Sequence, residues 1–147
     1  MPAQALERIH ARVAASEARH SGEIRVCIEA GLPLSYIRRH ATARDRAVAL
    51  FGKLGVWDTE NNNGVLIYLL LAERAIEIVA DRGLARYVPA SRWQQITASM
   101  ATAFADAHFE TGLNLAIDAV GQLLGEHFAL APGQSRHNEL PDAPDLR

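Results

Sequence analysis

The segment Val65-Leu66-Ile67-Tyr68-Leu69-Leu70-Leu71 restricts what this chain can fold into more than any other. It is apolar at odd and even positions alike, so a strand there must be covered on both faces, which calls for helices on two sides of a sheet. It follows a polar loop, 58–64, made of Asp, Thr, Glu, Asn and Gly, types that tolerate turns and left-handed backbone. Beyond it, Ala72-Glu73-Arg74 is short and polar enough to turn the chain directly into Ala75-Ile76-Glu77-Ile78-Val79-Ala80-Asp81. The pattern predicts an antiparallel hairpin at the centre of a mixed sheet.

An earlier strand is marked by alternation over 23–29. Ile24, Val26 and Ile28 fall on one face, and Glu23, Arg25, Cys27 and Glu29 on the other. Helical spacing predicts four helices. The first is an amphipathic helix within 1–20, built on Leu6, Ile9 and Val13 and packed on the domain. A crossover helix over 35–54 carries Ile37, Ala41, Ala47, Val48, Leu50, Phe51 and Leu54. Two more run over 90–108 (Trp93, Ile96, Met100, Phe104) and 111–128 (Leu115, Ile117, Val120, Leu123, Leu124), separated by Glu110-Thr111-Gly112. From residue 129, Pro132, Gly133, Pro141 and Pro144 stand among polar residues, which predicts a disordered tail over 129–147. The expected fold is a three-layer α/β/α domain with a mixed β-sheet flanked by helices on both sides, its body spanning 21–128.

The length, 147 residues, suits one domain, and 49% apolar with 22% charged residues is a globular composition. Fifteen Lys and Arg against 17 Asp and Glu leave a formal charge of −2, so no global field draws in nucleic acid. The strongest apolar run, 64–72, is too short to span a membrane, and the first ten residues lack the basic start and unbroken apolar stretch of a secretion signal. A cytoplasmic protein without direct membrane insertion is expected. The single cysteine, Cys27, excludes an internal disulfide and reads as a small packing residue; the six histidines show no metal-ligand spacing.

Candidate chemistry gathers at two places. In the 58–64 loop, Asp58, Thr59, Glu60 and Asn61 to Asn63 offer hard oxygen donors that suit calcium or magnesium, without the spacing of an EF-hand. The same residues also read as an ordinary turn, in which Asn and Gly supply unusual backbone angles and Thr or Asp cap amides. At Asp81-Arg82-Gly83 a carboxylate suited to ligating a cation or acting as a base stands beside a guanidinium suited to a phosphate, or the two simply close a turn. The polar strand positions Glu23, Arg25, Glu29, Glu77 and Asp81 either converge into a charged cluster or protect a sheet edge. Arg38, Arg39, Arg44 and Arg46 read as the solvated face of the crossover helix.

Four stretches, in their order and spacing, resemble the TPM domain over about residues 20 to 128. They are Gly22-Glu23-Ile24-Arg25-Val26, Phe51-Gly52-Lys53-Leu54-Gly55-Val56-Trp57-Asp58-Thr59, Asn63-Gly64-Val65-Leu66-Ile67-Tyr68 and Glu73-Arg74 through Ile78-Val79-Ala80-Asp81-Arg82-Gly83. The resemblance implies a mixed sheet with helices on both sides, and a short soluble bacterial-type member without the signal peptide, membrane helix or glycine-rich tail that many members carry. It places Asp81 in a glycine-containing turn that lines the family's cleft. It also implies two functions. One is a divalent-cation-binding, protein-interaction or accessory domain without strong catalysis, its metal ligands drawn from Asp58, Thr59, Asn63 and Asp81 and its partner a LemA-type membrane protein. The other is an acid-phosphatase-like phosphomonoester hydrolase, with Asp58, Asp81 and Arg82 around a metal. Neither a nucleophile in a phosphate-cradling loop nor a cluster of carboxylates and histidines is visible in the sequence.

Overall fold

The doubly apolar segment forms β2 (Gly64–Leu70), buried along its whole length in the computed structural model, which describes residues 1–130 and 140–147. On one side β2 pairs in parallel with β1 (Glu23–Glu29), and on the other it pairs antiparallel with β3 (Ala75–Ala80). A two-residue strand, β4 (Asp145–Leu146), lies parallel to β1, giving the mixed order β3-β2-β1-β4.

Alternation then divides the core into two. Val65, Ile67 and Leu69 join Ile24, Val26, Ile28 and Ile78 on the face covered by α1 (Ala3–Glu17), α5 (Ala90–Ala105) and α6 (Phe109–His127). Leu66, Tyr68 and Leu70 join Cys27 and Val79 on the opposite face, under Ala47 and Leu50 of α3 (Ala43–Lys53). Each fully buried Leu or Ile contributes about 1.5–3 kcal/mol relative to exposure, so both sheet faces must be covered. The three-layer α/β/α architecture follows. Ile9 and Val13 fix α1 in the larger core, as their spacing predicts.

Four expectations are corrected. The hairpin is not central: β3 is an edge strand, paired only with β2 and partly buried, although Ile78 and Val79 reach the two opposite cores. The crossover is two helices, α2 (Leu34–Arg38) and α3, since His40 adopts a left-handed φ of 55° and Thr42 starts α3 afresh. Thr42 and Asp45 form a reciprocal capping box, and Ile37 and Val48 are left exposed. Helices α5 and α6 meet at residues 106–108, where Ala107 has φ 61°, and not at Gly112. Gly112 lies inside α6 against the Phe104 ring, where a methyl group would collide, so it serves close helix packing; Leu115 is exposed.

The closing residues also differ from a disordered tail. Leu140 is buried in the α3-side core, Arg147 N donates to Ile28 O (2.8 Å), and Arg25 holds Asp145 (3.7 Å) and the Ala143 carbonyl. The reason is the outer edge of β1, whose backbone groups β4 satisfies. Pro132 and Gly133 lie outside the described residues.

Candidate functional site

The 58–63 loop and the segment after β3 meet at one end of the sheet. Gly83 N donates to Asn62 O (2.7 Å), and Asp81 N to Gly64 O (2.9 Å). Gly83 is required: a methyl group there would run into the carbonyl oxygens of Asn61 and Asn62. Asn62 takes the left-handed conformation at φ 52°, which Asn tolerates better than most residues. Thr59 Oγ1 accepts from Asn63 N (3.1 Å), and Asn63 Nδ2 donates to Ser21 Oγ (3.3 Å).

All four proposed ligands thus reach one end of the sheet, but in different states. Thr59 and Asn63 are buried and build the loop, whereas Asp58 is exposed. Asp81 is half-buried and caps the short helix α4 (Arg82–Ala85), accepting from Arg82 N (2.7 Å). The local link between Asp81 and Arg82 is therefore carboxylate to backbone, and the Arg82 residue is exposed. Among the described residues, no three of His, Cys, Asp and Glu gather as metal ligands. A hard cation here would use the Asp58 and Asp81 carboxylates together with loop carbonyls and water.

The polar strand positions do not converge. Glu77 faces Arg44 (3.5 Å), Arg25 faces Asp145, and Glu29 is held by Arg46 through two bonds of 3.0 Å each. Tyr68 Oη donates to the same Glu29 carboxylate (2.6 Å), and the Tyr36 ring lies 5.0 Å from the Arg46 guanidinium. Arg46 is therefore a buried partner and not part of a solvated helix face. Burial pushes the Glu29 carboxyl up, but the hydrogen bonds from Arg46 and Tyr68 outweigh it and leave Glu29 below the usual carboxylate range. Burial and the Glu29 contact raise the Tyr68 phenol.

A second buried polar group occupies the start of β1. Glu17 accepts from Ile24 N (2.7 Å) and shares a hydrogen bond with Asp142, while Glu23 is fully buried nearby. Burial first, then the Asp142 contact, pushes the Glu17 carboxyl up to about 10. Burial thus favours the protonated form of Glu17 at neutral pH.

Two arrangements have the residue types of nucleophilic catalysis and lack access. Ser16 Oγ lies 3.3 Å from His20 Nε2, but both residues are sealed, with Gly121 packed against the hydroxyl. Cys27 is buried beneath Asp145, and burial, followed by the Asp145 charge, pushes its thiol up to about 12. Neither supplies a reactive nucleophile.

The family model described as the TPM domain matches residues 1–123, most of the chain. The chain belongs to the TPM domain family. This TPM domain is similar to the NMR structure of the BA42 protein from the psychrophilic bacterium Bizionia argentinensis, with a TM-score of 0.86 at 26% identity, covering 100% of this chain and 95% of that one. The solution structure of the N-terminal domain of a P. gingivalis protein superposes at a TM-score of 0.70 and 24% identity, covering 89% and 82%, and shows the fold alone. No curated protein matches the chain. In the TPM domain described here no helix of the described residues is long and apolar enough to cross a membrane. The buried partners Arg46, Tyr68, Glu17 and Asp142 escaped the sequence reading. Glu29 was read only among the polar positions of its strand, and nothing in the sequence singled it out as a buried charge.

Proposed function

We propose that this TPM domain is a cytoplasmic accessory domain that binds calcium or magnesium weakly at the 58–63 loop beside Asp81 and engages a protein partner, without strong catalysis of its own. The observation that supports it is the clamp between Gly83 N and Asn62 O, which holds the exposed Asp58 and the capping Asp81 at one end of the sheet. A divalent cation suits oxygen donors from a loop and a neighbouring carboxylate, and a site with two carboxylates binds loosely enough to respond to changing cation levels. A LemA-type membrane protein is the partner we put forward, supplying an anchor.

The second reading, an acid-phosphatase-like phosphomonoester hydrolase, draws on one feature: the Arg82 residue is exposed next to Asp81, where its guanidinium suits a phosphate. Turnover of p-nitrophenyl phosphate separates the two. The accessory reading expects no release above a metal-free blank with either cation, in the native chain and in Asp81→Asn alike. Metal-dependent turnover that Asp81→Asn abolishes in a folded protein would replace it with the hydrolase.

A further inference from the structure

The sheet ends at β3, and that edge is open in an unusual way. Ile78 O accepts from Arg44 Nη1 (2.7 Å) and therefore points away from β2. Because an antiparallel strand alternates, the N–H and C=O groups of Ile76 and Ala80 turn outward with it. Beside them lies a cleft of about 470 Å³ lined by Ile78, Ala80, Ala85, Trp93, Gln94 and Thr97, with Arg44 and Glu77 at its rim. Arg44 comes from α3 on one side of the sheet and Trp93 from α5 on the other. The cleft thus follows the sheet edge between the two helical layers, where a fifth strand would lie.

We infer that this slot takes an extended, acidic peptide segment of a partner protein as an added strand on β3. Added strands gain affinity from main-chain hydrogen bonds and specificity from alternate side chains. Here the alternate side chains would meet Trp93 and the alanines on one side and Arg44 on the other. The charge favours an acidic occupant: at the rim Arg44 and Glu77 offset each other (3.5 Å), and Arg82 and Arg86, which flank a neighbouring hollow sharing Ala85 with the slot, leave the surplus positive. Arg44 is half-exposed, and on the free protein it shields the central carbonyl of the edge from indiscriminate pairing. A peptide carboxylate would draw the guanidinium off Ile78 O and free that carbonyl for the incoming strand. A second copy of the chain fits less well, because a two-fold pairing of β3 would bring both Arg44 side chains to the same place.

This inference deepens the accessory reading by naming the partner class, and it rests on a surface separate from the cation loop. The probe is a peptide of about eight residues alternating valine and glutamate, titrated into isotope-labelled protein, with a valine–lysine peptide and a proline-interrupted peptide as controls. The expected result is saturable amide shifts over residues 75–80 and at the Trp93 indole, with the lysine and proline peptides at least about tenfold weaker. Arg44→Glu should exchange the preference between the two charged peptides. Ala90→Arg, at an exposed position lining the slot, should abolish binding without touching the core. Absent binding, shifts elsewhere, or equal binding of all three peptides would overturn the inference, and so would dimerisation through β3 in sedimentation. Cation-induced shifts at residues 58–63 in a protein that binds none of the peptides would leave the accessory reading standing while this inference failed.

Discussion

Arg46→Met removes the guanidinium that holds the Glu29 carboxylate through two bonds, at 3.0 Å each. The side chains are 11% and 6% exposed, so water cannot replace the lost partner without opening the α3 layer. Breaking a buried pair by deleting one member costs about 3–5 kcal/mol, since the remaining charge stays desolvated. That is a large share of a typical domain stability of about 5–15 kcal/mol. For a chain of this length it corresponds to a fall in melting temperature of roughly 10 °C. Urea unfolding gives the free energy, and its pH dependence gives the cause. In the native chain the folded Glu29 lies below its unfolded value, so its contribution is present above the unfolded pKa and is lost as pH falls through the folded one. In Arg46→Met, burial is opposed chiefly by the Tyr68 hydrogen bond, so the folded value rises and the loss of stability on acidification shrinks. Glu29→Gln combined with Arg46→Met should recover most of the loss, because no charge is then stranded. A destabilisation of Arg46→Met below about 1 kcal/mol, with an unchanged pH profile, would refute the reasoning by showing that the pair behaves as an exposed one.

Three further outcomes follow from the buried groups. Glu17 has a folded value of about 10, so its contribution is complete below the unfolded carboxylate pKa and declines as pH rises toward that figure. Glu17→Gln should therefore raise the melting temperature near pH 8 by more than near pH 5, measured by thermal scans at both; equal changes would show that the carboxyl is already ionised. Gly83→Ala places a methyl group against the Asn61 and Asn62 carbonyls, so it should spread the loop and weaken cation binding at least about tenfold while destabilising the fold by roughly 1–3 kcal/mol, read by calorimetry and urea unfolding. Asp145→Ala loosens β4 over Cys27, and thiol labelling of native protein should quicken; labelling at the native rate would show that β4 does not guard the thiol.

The sequence made the layers legible because β1 and β2 have opposite signatures. Strict alternation in β1 predicted Ile24, Val26 and Ile28 as one core face, and the unbroken apolar run predicted cover on both faces of β2. What it hid are features set by single contacts. The helical period runs straight through residues 39–42, so the break between α2 and α3 could be read only from Thr42 and Asp45 as a capping box. Arg46 sits among three other arginines of the same segment, and only the fold singles it out by lowering it onto Glu29. β4 is two residues long, too short for any periodicity, and its place depends on the open edge of β1. At the candidate site, the types and positions of Asp58, Thr59, Asn63 and Asp81 were legible. Their division into loop-building and exposed groups was not, because it rests on the approach of Gly83 to Asn62.

The most direct test of the accessory reading is a calcium and magnesium titration followed by amide NMR shifts, with Asp81→Asn beside the native chain. The account predicts saturable shifts confined to residues 58–64 and 81–83 that Asp81→Asn removes, with β3 and the Glu29 region unmoved. Flat titrations, or shifts that persist in Asp81→Asn, would contradict it.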